Sequence, residues 1–576
     1  MLERFRTRLA SVDALPQLAL LGLTSGLMAG AVIIAFRLLI ENLQTGMLPG
    51  ADIEAYEALS PWMRFLLPAL GGLAIGVLFQ YLARSGSVQV GVVHVLERLA
   101  YHQGHLPLRN LVLQFVGAVM SIVSGHSVGR EGPGVHLGAA SGSLLGQWLR
   151  LPDNSIRTLV ACGAAASIAA SFNTPLAGVV FSMEVILMEY TIAGFTPVIL
   201  AAVSATALTR FVFGTEPAFA VPALEMASLL ELPYLMVMGI VIGALAALFI
   251  GALKQVAEAS GDIAVWKRLT LAGIITGLIA LWVPQVMGIG YDTVNQSMLG
   301  EIGIGLLLGI VAFKIIATTV GLGLGLPGGL IGPTLVIGAA AGGALGHVAE
   351  MIFPGAVASP GFYAMLGMAA MMGATLQAPL AALMALLELT ANPNIILPGM
   401  LAVVISCIAS SHLFGRESVF LTLLKARGLD YRSDPVAQSL RRVGVASVLN
   451  TAFVESPACI DMARANATLE HQPLWIAVSS GDRSAPDCLL LAADLARYLN
   501  ANPPADHQAI DLLEIPAQRE DIACISAQAT LQQALETMDQ AGVDALCVTR
   551  HGGNGRDACR VVGIVTRQTV ESHYRE

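Results

Sequence analysis

Apolar runs of membrane-crossing length leave this chain one solvent in which most of it can fold. Leu18 to Ile40, Trp62 to Leu82, Leu235 to Leu253 and Ile302 to Val320 approach or exceed the roughly 20 residues a helix needs to cross about 30 Å of hydrocarbon. Leu111 to Ser124, Leu271 to Val283 and Leu397 to Leu413 are shorter, which predicts re-entrant or half-spanning helices among the full spans. With 55% hydrophobic and only 12% charged residues, the 576-residue chain lies far from a soluble globular balance.

Against that background the run Ser127-Val128-Gly129-Arg130-Glu131-Gly132-Pro133-Gly134 stands out. It sets a cation and a carboxylate side by side at membrane depth, where one charge at the centre of a span costs roughly 3 kcal/mol on insertion scales. The glycines and proline also imply a broken helix, which a membrane tolerates only where protein or a polar cavity surrounds the exposed backbone. Such a pair asks for a functional reason.

The membrane part repeats itself. Pro133 to Gly142 (PGVHLGAASG) lies over Pro333 to Gly342 (PTLVIGAAAG) with proline, glycines and alanines in step. A second block follows in the same order: Gly163-Ala164-Ala165-Ala166 through Pro175-Leu176-Ala177 to Glu184 matches Gly367-Met368-Ala369-Ala370 through Pro379-Leu380-Ala381 to Glu388. Repeated halves with Gly/Pro-interrupted segments at matching positions point to a midplane binding site between them, built from helix termini. Gly129 to Pro133 and Gly328 to Pro333 both precede helical stretches, so free N–H groups and positive dipole ends would converge, which favours an anion.

Composition changes near Lys425. Beyond Gly428-Leu429-Asp430-Tyr431 polar residues return, and Lys425, Arg427, Arg432, Arg441 and Arg442 place this tail in the cytoplasm. Arg4, Arg6 and Arg8 ahead of the first apolar run, with no evident cleavage site, give an uncleaved, cytoplasmic N-terminus. In a membrane chain the net charge of −9 says little about nucleic acid, but the lack of a dense basic patch argues against it. Seven cysteines without CxxC spacing argue against zinc. No nucleophile–base pair appears at useful spacing, so no enzyme activity, catalytic residue, metal or cofactor is expected.

Together, Gly129-Arg130-Glu131-Gly132-Pro133, Gly329-Leu330-Ile331-Gly332-Pro333, Asn173-Thr174-Pro175-Leu176-Ala177-Gly178 and the tail resemble the CLC chloride channels and transporters. The resemblance covers roughly residues 15 to 425. It implies an all-α polytopic fold with inverted-topology repeats and broken half-spanning helices, followed by a C-terminal α/β CBS-like domain. It also implies a homodimer in the cell (inner) membrane, with chloride and similar anions, and in many members protons, passing through each subunit. The expected organisation is a transport domain over 1–427 with repeats at about 15–213 and 232–425, a linker over 428–444 and a CBS-like regulatory domain over 445–576.

Within the resemblance Glu131 matches the gating glutamate, whose carboxylate acts as a tethered anion. Gly129, Arg130, Gly132, Leu330 and Ile331 fall in the anion-binding segments, Arg130 being expected to set the field rather than to bind. Three departures matter. The family's central serine falls on Val90, unless a shifted placement brings in Ser85 or Ser87; its central tyrosine falls on Phe420; and the inner proton-carrying glutamate falls on Val185. Backbone N–H groups of Leu330 and Ile331 would then have to carry the site. A hydrogen bond to a charged group contributes roughly 1.5–3 kcal/mol, so weaker central binding is expected. Glu184, one residue from Val185, is turned about 100° away on a helix and is read as structural, like its counterpart Glu388.

These departures favour passive or weakly coupled conduction, with a proton-coupled antiporter as the alternative, and a fluoride transporter or a membrane sensor more remote; voltage dependence could arise from permeant anions and Glu131 moving across the field. His94, His126 and His136 read as packing residues, and Lys314 as a source of positive potential or a side chain snorkelling to the interface. In the tail, Ile525 to Leu535 reads as a capped helix followed by strands at Asp544–Thr549 and Val561–Thr566, like the second lobe of a CBS pair. Thr569 stands near the place where such lobes often carry a ribose-binding aspartate, so a dimerising or regulatory role ranks above adenine-nucleotide binding.

Overall fold

The computed structural model describes residues 2–11, 14–49, 53–82, 89–215, 219, 224–261, 263–429, 435–480, 486–501, 509–551 and 559–575. After α1 (Leu2–Leu9), the first half comprises α2 (Leu15–Met47), α3 (Pro61–Leu82), α4 (Gly91–Tyr101), α5 (Leu108–Val123), α6 (Glu131–Trp148), α7 (Asp153–Phe172), α8 (Pro175–Phe181) and α9 (Ile192–Phe213). The second half holds α10 (Leu232–Ala259), α11 (Val265–Ala280), α12 (Tyr291–Leu299), α13 (Ile304–Gly323), α14 (Ile331–Ile352), α15 (Pro360–Leu376), α16 (Pro379–Thr390), α17 (Ile396–Ile408) and α18 (Val419–Ala426). Eight helices among the described residues are long and apolar enough to cross a membrane, and Leu108–Val123, Pro175–Leu187, Pro360–Leu376 and Pro379–Thr390 are apolar but shorter. At 1.5 Å per residue, the 16 residues of α5 reach about 24 Å, less than the hydrocarbon thickness.

The repeat seen in sequence is a repeat of backbone contacts. A Cβ on Gly138 would collide with the carbonyl of Gly163, and one on Gly163 with that of Gly138; Gly338 and Gly367 stand in the same relation. Each glycine pair lets two helices, α6 with α7 and α14 with α15, cross at backbone distance, the small-residue packing favoured between membrane helices. The window of α7 is 94% buried, so this Ala/Gly/Ser-rich helix is surrounded by protein rather than lipid.

Two further correspondences tie the halves together. Both Glu184 oxygens accept from the N-terminus of α16, from Leu380 N–H at 3.3 Å and Ala381 N–H at 2.8 Å. Glu388 returns the contact at the N-terminus of α8, accepting from Leu176 N–H at 3.0 Å and Ala177 N–H at 2.7 Å. Pro175 and Pro379 open these two helices, where the missing proline N–H costs nothing. Each carboxylate satisfies orphan N–H groups at the positive end of a helix dipole, which gives both glutamates a structural role.

The chain divides into two compact units, Leu18–Gln147 with Ile156–Tyr431, and Met1–Gln17 with Trp148–Ser155 and Arg432–Glu576. In the second, α19 (Pro435–Arg441) leads into β1 (Phe453–Pro457), β2 (Cys459–Ile460), α20 (Met462–Glu470), β3 (Trp475–Ser479), β4 (Cys488–Leu491), α21 (Ala492–Ala501) and β5 (Ile510–Asp511). There follow β6 (Arg519–Ser526), α22 (Leu531–Ala541), β7 (Ala545–His551), β8 (Cys559–Thr566) and α23 (Arg567–Arg575).

A six-stranded sheet runs β1-β3-β4-β6-β7-β8, with β1 parallel to β3, β6 parallel to β7, and antiparallel pairing elsewhere. The two lobes therefore share one order: strand, helix, parallel strand, antiparallel strand, helix. The predicted helix over 525–535 begins instead at Leu531. Thr530 and Gln533 form a capping box there, while Ile525 and Ser526 end β6 in parallel register with Val548 and Thr549.

Candidate functional site

The segments before α6 and α14 share a backbone, residue for residue, at an offset of 200. His126 N–H donates to Ser121 O at 3.3 Å and Leu326 N–H to Gly321 O at 3.0 Å; Val128 N–H donates to His126 O at 2.8 Å and Gly328 N–H to Leu326 O at 2.9 Å. Gly125 and Gly325 both adopt positive φ, 75° and 99°. The two segments meet antiparallel: Gly129 N–H donates to Gly329 O at 2.7 Å, and Gly329 N–H to Gly129 O at 2.8 Å. The N-termini of α6 and α14 thus start from one stapled point, the arrangement expected of inverted halves.

Glu131, the first residue of α6, is wholly buried at that point. Its Oε2 accepts the Gly332 N–H at 3.0 Å, and its Oε1 accepts the Tyr291 hydroxyl. The carboxylate is therefore held as an anion would be, by a free N–H of the opposite half and a phenol. A Cβ on Gly129 would strike Glu131 Oε2, and one on Gly332 would approach it to 3.1 Å, so both glycines make room for the negative group.

Arg130 is half-buried; its Nη2 donates to Ser171 O at 3.3 Å and its guanidinium lies 5.2 Å from the Tyr291 ring centroid. It touches neither carboxylate oxygen within the hydrogen bonds formed, and it acts on the site through its field. Gly129, grouped by sequence with the anion donors, has its N–H committed to Gly329. The bare N–H that reaches the carboxylate belongs to Gly332, one residue beyond Leu330 and Ile331. The cause is geometric: Leu330 closes the loop, and the first turn of α14 aims its later N–H at Glu131.

Tyr291 opens α12 and is half-buried, held at its backbone and at its ring. Its N–H donates to Glu54 Oε2 at 3.0 Å, alongside that of Gly290 at 3.3 Å. Its ring packs edge-on to Phe219, centroids 5.4 Å apart, and tilted against Phe172 at 6.0 Å. Lys314 does not snorkel. It is fully buried, and its Nζ donates to Val286, Gly288 and Ile289 carbonyls at 3.0, 3.1 and 3.4 Å, pinning the turn that delivers Tyr291.

Farther along, Val90 caps α4 in extended conformation and supplies no hydroxyl. The N–H of Gly91 donates to Gln114 Oε1 at 2.6 Å, so this helix start is closed by a side chain. Ser85 and Ser87 lie outside the described residues. Phe420 and Val185 line one cavity of about 430 Å³ with Glu184, Gln377, Glu417 and Ser418. Glu417 is paired with Lys425 at 2.6 Å. His94 Nδ1 and His136 Nε2 are 2.9 Å apart in a buried stack, and His126 Nδ1 bonds Ser124 Oγ at 2.8 Å, while the second ring nitrogens of His136 and His126 are buried without a hydrogen-bond partner.

Residues 71–411 match the family model described as voltage gated chloride channel. A ClcB-like protein of Ralstonia nicotianae is 34% identical over 421 residues, 71% of this chain and 97% of its own length. This chain belongs to the CLC family. The H(+)/Cl(-) exchange transporter ClcA of Vibrio cholerae is 31% identical over 55% of this chain and 69% of its own. A solved eukaryotic CLC transporter superposes with a TM-score of 0.60 at 20% identity, covering 97% of this chain and 99% of that one, which extends the shared fold through the α/β tail. The protein is accordingly a multi-pass CLC anion-transport protein with an α/β domain after its membrane part.

Sequence reasoning about this CLC chain missed Tyr291, Glu54 and Gly332. Tyr291 opens α12 as Gly91 opens α4 at the same offset of 200, so the repeat sets a glycine opposite it and does not flag the hydroxyl. Gly332 was visible as part of the second motif, and the matching offset of Glu131 to Ile331 would have pointed one residue short of it.

Proposed function

We propose that this CLC protein passes chloride and similar small anions across the membrane through a pathway gated by Glu131. One observation carries the reading: the Glu131 carboxylate is bound as a tethered anion by the Gly332 N–H and the Tyr291 hydroxyl where two half-helices converge. With the carboxylate in place the pathway is filled; protonated or swung out, it yields its donors to an anion.

Passive or weakly coupled, voltage-dependent conduction fits the inner cavity best. Val185 binds no proton, and both oxygens of Glu184 are engaged by the α16 N-terminus. Charge moving through the field would supply voltage dependence at about 2.3 kcal/mol per charge per 100 mV. Similarity to a ClcA exchanger favours a second reading, proton-coupled antiport. Purified protein in liposomes, under a chloride gradient and clamped voltage, tests both at once. Chloride efflux without uphill proton movement supports conduction, stoichiometric proton uptake supports exchange, and Glu131→Gln with unchanged flux overturns the gate.

The reading includes a homodimer with one pathway per subunit, residence in the inner membrane and cytoplasmic termini, supported by the family resemblance and the basic residues near Lys425. The tail's two like-ordered lobes support a CBS-like regulatory module. Thr569, near the place where such lobes often carry a ribose-binding aspartate, favours a dimerising or regulatory role over adenine-nucleotide binding.

A further inference from the structure

The permeating anion needs donors, and two side-chain hydroxyls expected of the pathway are replaced by Val90 and Phe420. A third hydroxyl stands elsewhere. We propose that the Tyr291 O–H is a direct ligand of the permeating anion, forming with the Gly332 N–H an outer binding site that Glu131 fills when the pathway is closed; this rests on the gate reading above.

The carboxylate oxygens of Glu131 stand in for the anion, and each meets one donor, Oε1 the phenol and Oε2 the amide. When Glu131 leaves, both donors remain, because neither is held by the glutamate. The Gly332 amide belongs to the α14 backbone. Tyr291 is positioned through Glu54 on its N–H, Phe219 and Phe172 against its ring, and the guanidinium of Arg130 over its face. Its O–H would then point into the vacated space beside the Gly332 N–H, so the two donors stay aimed at one place and make it a preorganised receptor. A cation 5.2 Å from the ring adds positive potential at the same place. Two convergent donors and a volume the size of a carboxylate suit a monovalent halide or nitrate, and a glycine on each side, Gly129 and Gly332, gives it room.

The test is a square of full-length variants: native, Tyr291→Phe, Glu131→Gln and the double substitution. Chloride binding is measured by calorimetry, and chloride against thiocyanate flux in liposomes. The ring and its packing survive in Tyr291→Phe, so only the hydroxyl is removed. In the Glu131→Gln background, Tyr291→Phe is expected to weaken chloride binding roughly tenfold or more, the worth of one hydrogen bond to a charged group. It should also shift preference toward thiocyanate, which depends less on a strong donor. A purely structural role would lower both fluxes alike and leave the ratio unmoved, overturning the proposal. Equal chloride affinity with and without the hydroxyl overturns it too, while the gate stands. Glu131→Gln without effect on binding or flux overturns the gate reading itself and this proposal with it.

Discussion

Glu184 and Glu388 offer a direct test of structural against proton-carrying roles, because the fold gives them identical work. Each carboxylate accepts two N–H bonds at the start of a helix of the other half. Substitution by glutamine leaves one acceptor oxygen, so one N–H loses its partner and the helix terminus loses its anion. A bond to a charged group contributes roughly 1.5–3 kcal/mol, and a charge at a helix N-terminus roughly 0.3–1 kcal/mol. Leu176 and Leu380 are about half exposed, 52% and 48%, so the freed amide regains a solvent or lipid-headgroup partner in part. A net loss of about 1–2 kcal/mol for each substitution follows. Apparent melting temperatures of detergent-solubilised protein should fall by similar amounts for Glu184→Gln and Glu388→Gln, with the chloride-to-proton ratio in liposomes unchanged by either. If Glu184→Gln melts like the native protein while abolishing proton movement, Glu184 is a proton carrier and the reciprocal-cap argument fails.

Gly163→Ala and Gly367→Ala drive a Cβ into the facing backbone carbonyl; overpacking of this kind costs roughly 1–3 kcal/mol or more, and folded yield on size exclusion should drop for both. Lys314→Met strips three buried carbonyls of their donor at about 1–3 kcal/mol per unsatisfied group, so the protein should lose thermal stability and, with the turn released, Glu131-dependent gating. Phe420→Tyr returns a hydroxyl to the inner cavity and should raise chloride affinity roughly tenfold by calorimetry; no change would show that this wall does not meet the anion. Burial, with Asp292 adding repulsion, lifts the Glu54 carboxyl to about 7 from an ordinary value near 4.5. The folded state then holds a proton the unfolded one has lost, so stability falls as pH rises from about 4.5 to about 7, and above that the ionised group costs about 3 kcal/mol. Glu54→Gln should raise the melting temperature at pH 8 and leave it nearly unaltered at pH 4.5.

The elements legible in sequence are those with a local or repeated cause. Gly138 and Gly338 align because each must admit a backbone from a neighbouring helix, and Glu184 and Glu388 align because each caps the other half. The short apolar run at Leu111 to Ser124 is a short helix because the chain must break to present Gly129. What escaped lies in long-range encounters. No period or spacing in the chain says that Glu54 will cap the turn at Gly290 and Tyr291, or that Lys314 will be spent on three carbonyls rather than on an anion. The tail's helix start was misplaced because Ile525 and Leu531 are both apolar, and only the reciprocal bond between Thr530 and Gln533 separates strand from helix.

The functional asymmetry of the molecule sits inside its symmetric part. Arg130 and Glu131 correspond by position to Leu330 and Ile331, yet the backbone around them is the same: the same turns, the same positive-φ glycine, the same staple between Gly129 and Gly329. Two equivalent helix starts would make an anion site open equally to both sides. Placing a carboxylate on one of them, and against it a tyrosine where the first half has Gly91, gives that site a plug with a direction. The second half turns its Gly332 N–H to Glu131 and lines its start with leucine and isoleucine, since a second carboxylate within reach of Glu131 would repel the first and leave neither able to pose as the anion. A carboxylate introduced at Ile331 should therefore abolish the buried placement of Glu131, and with it closure, while the scaffold that carries both segments still folds.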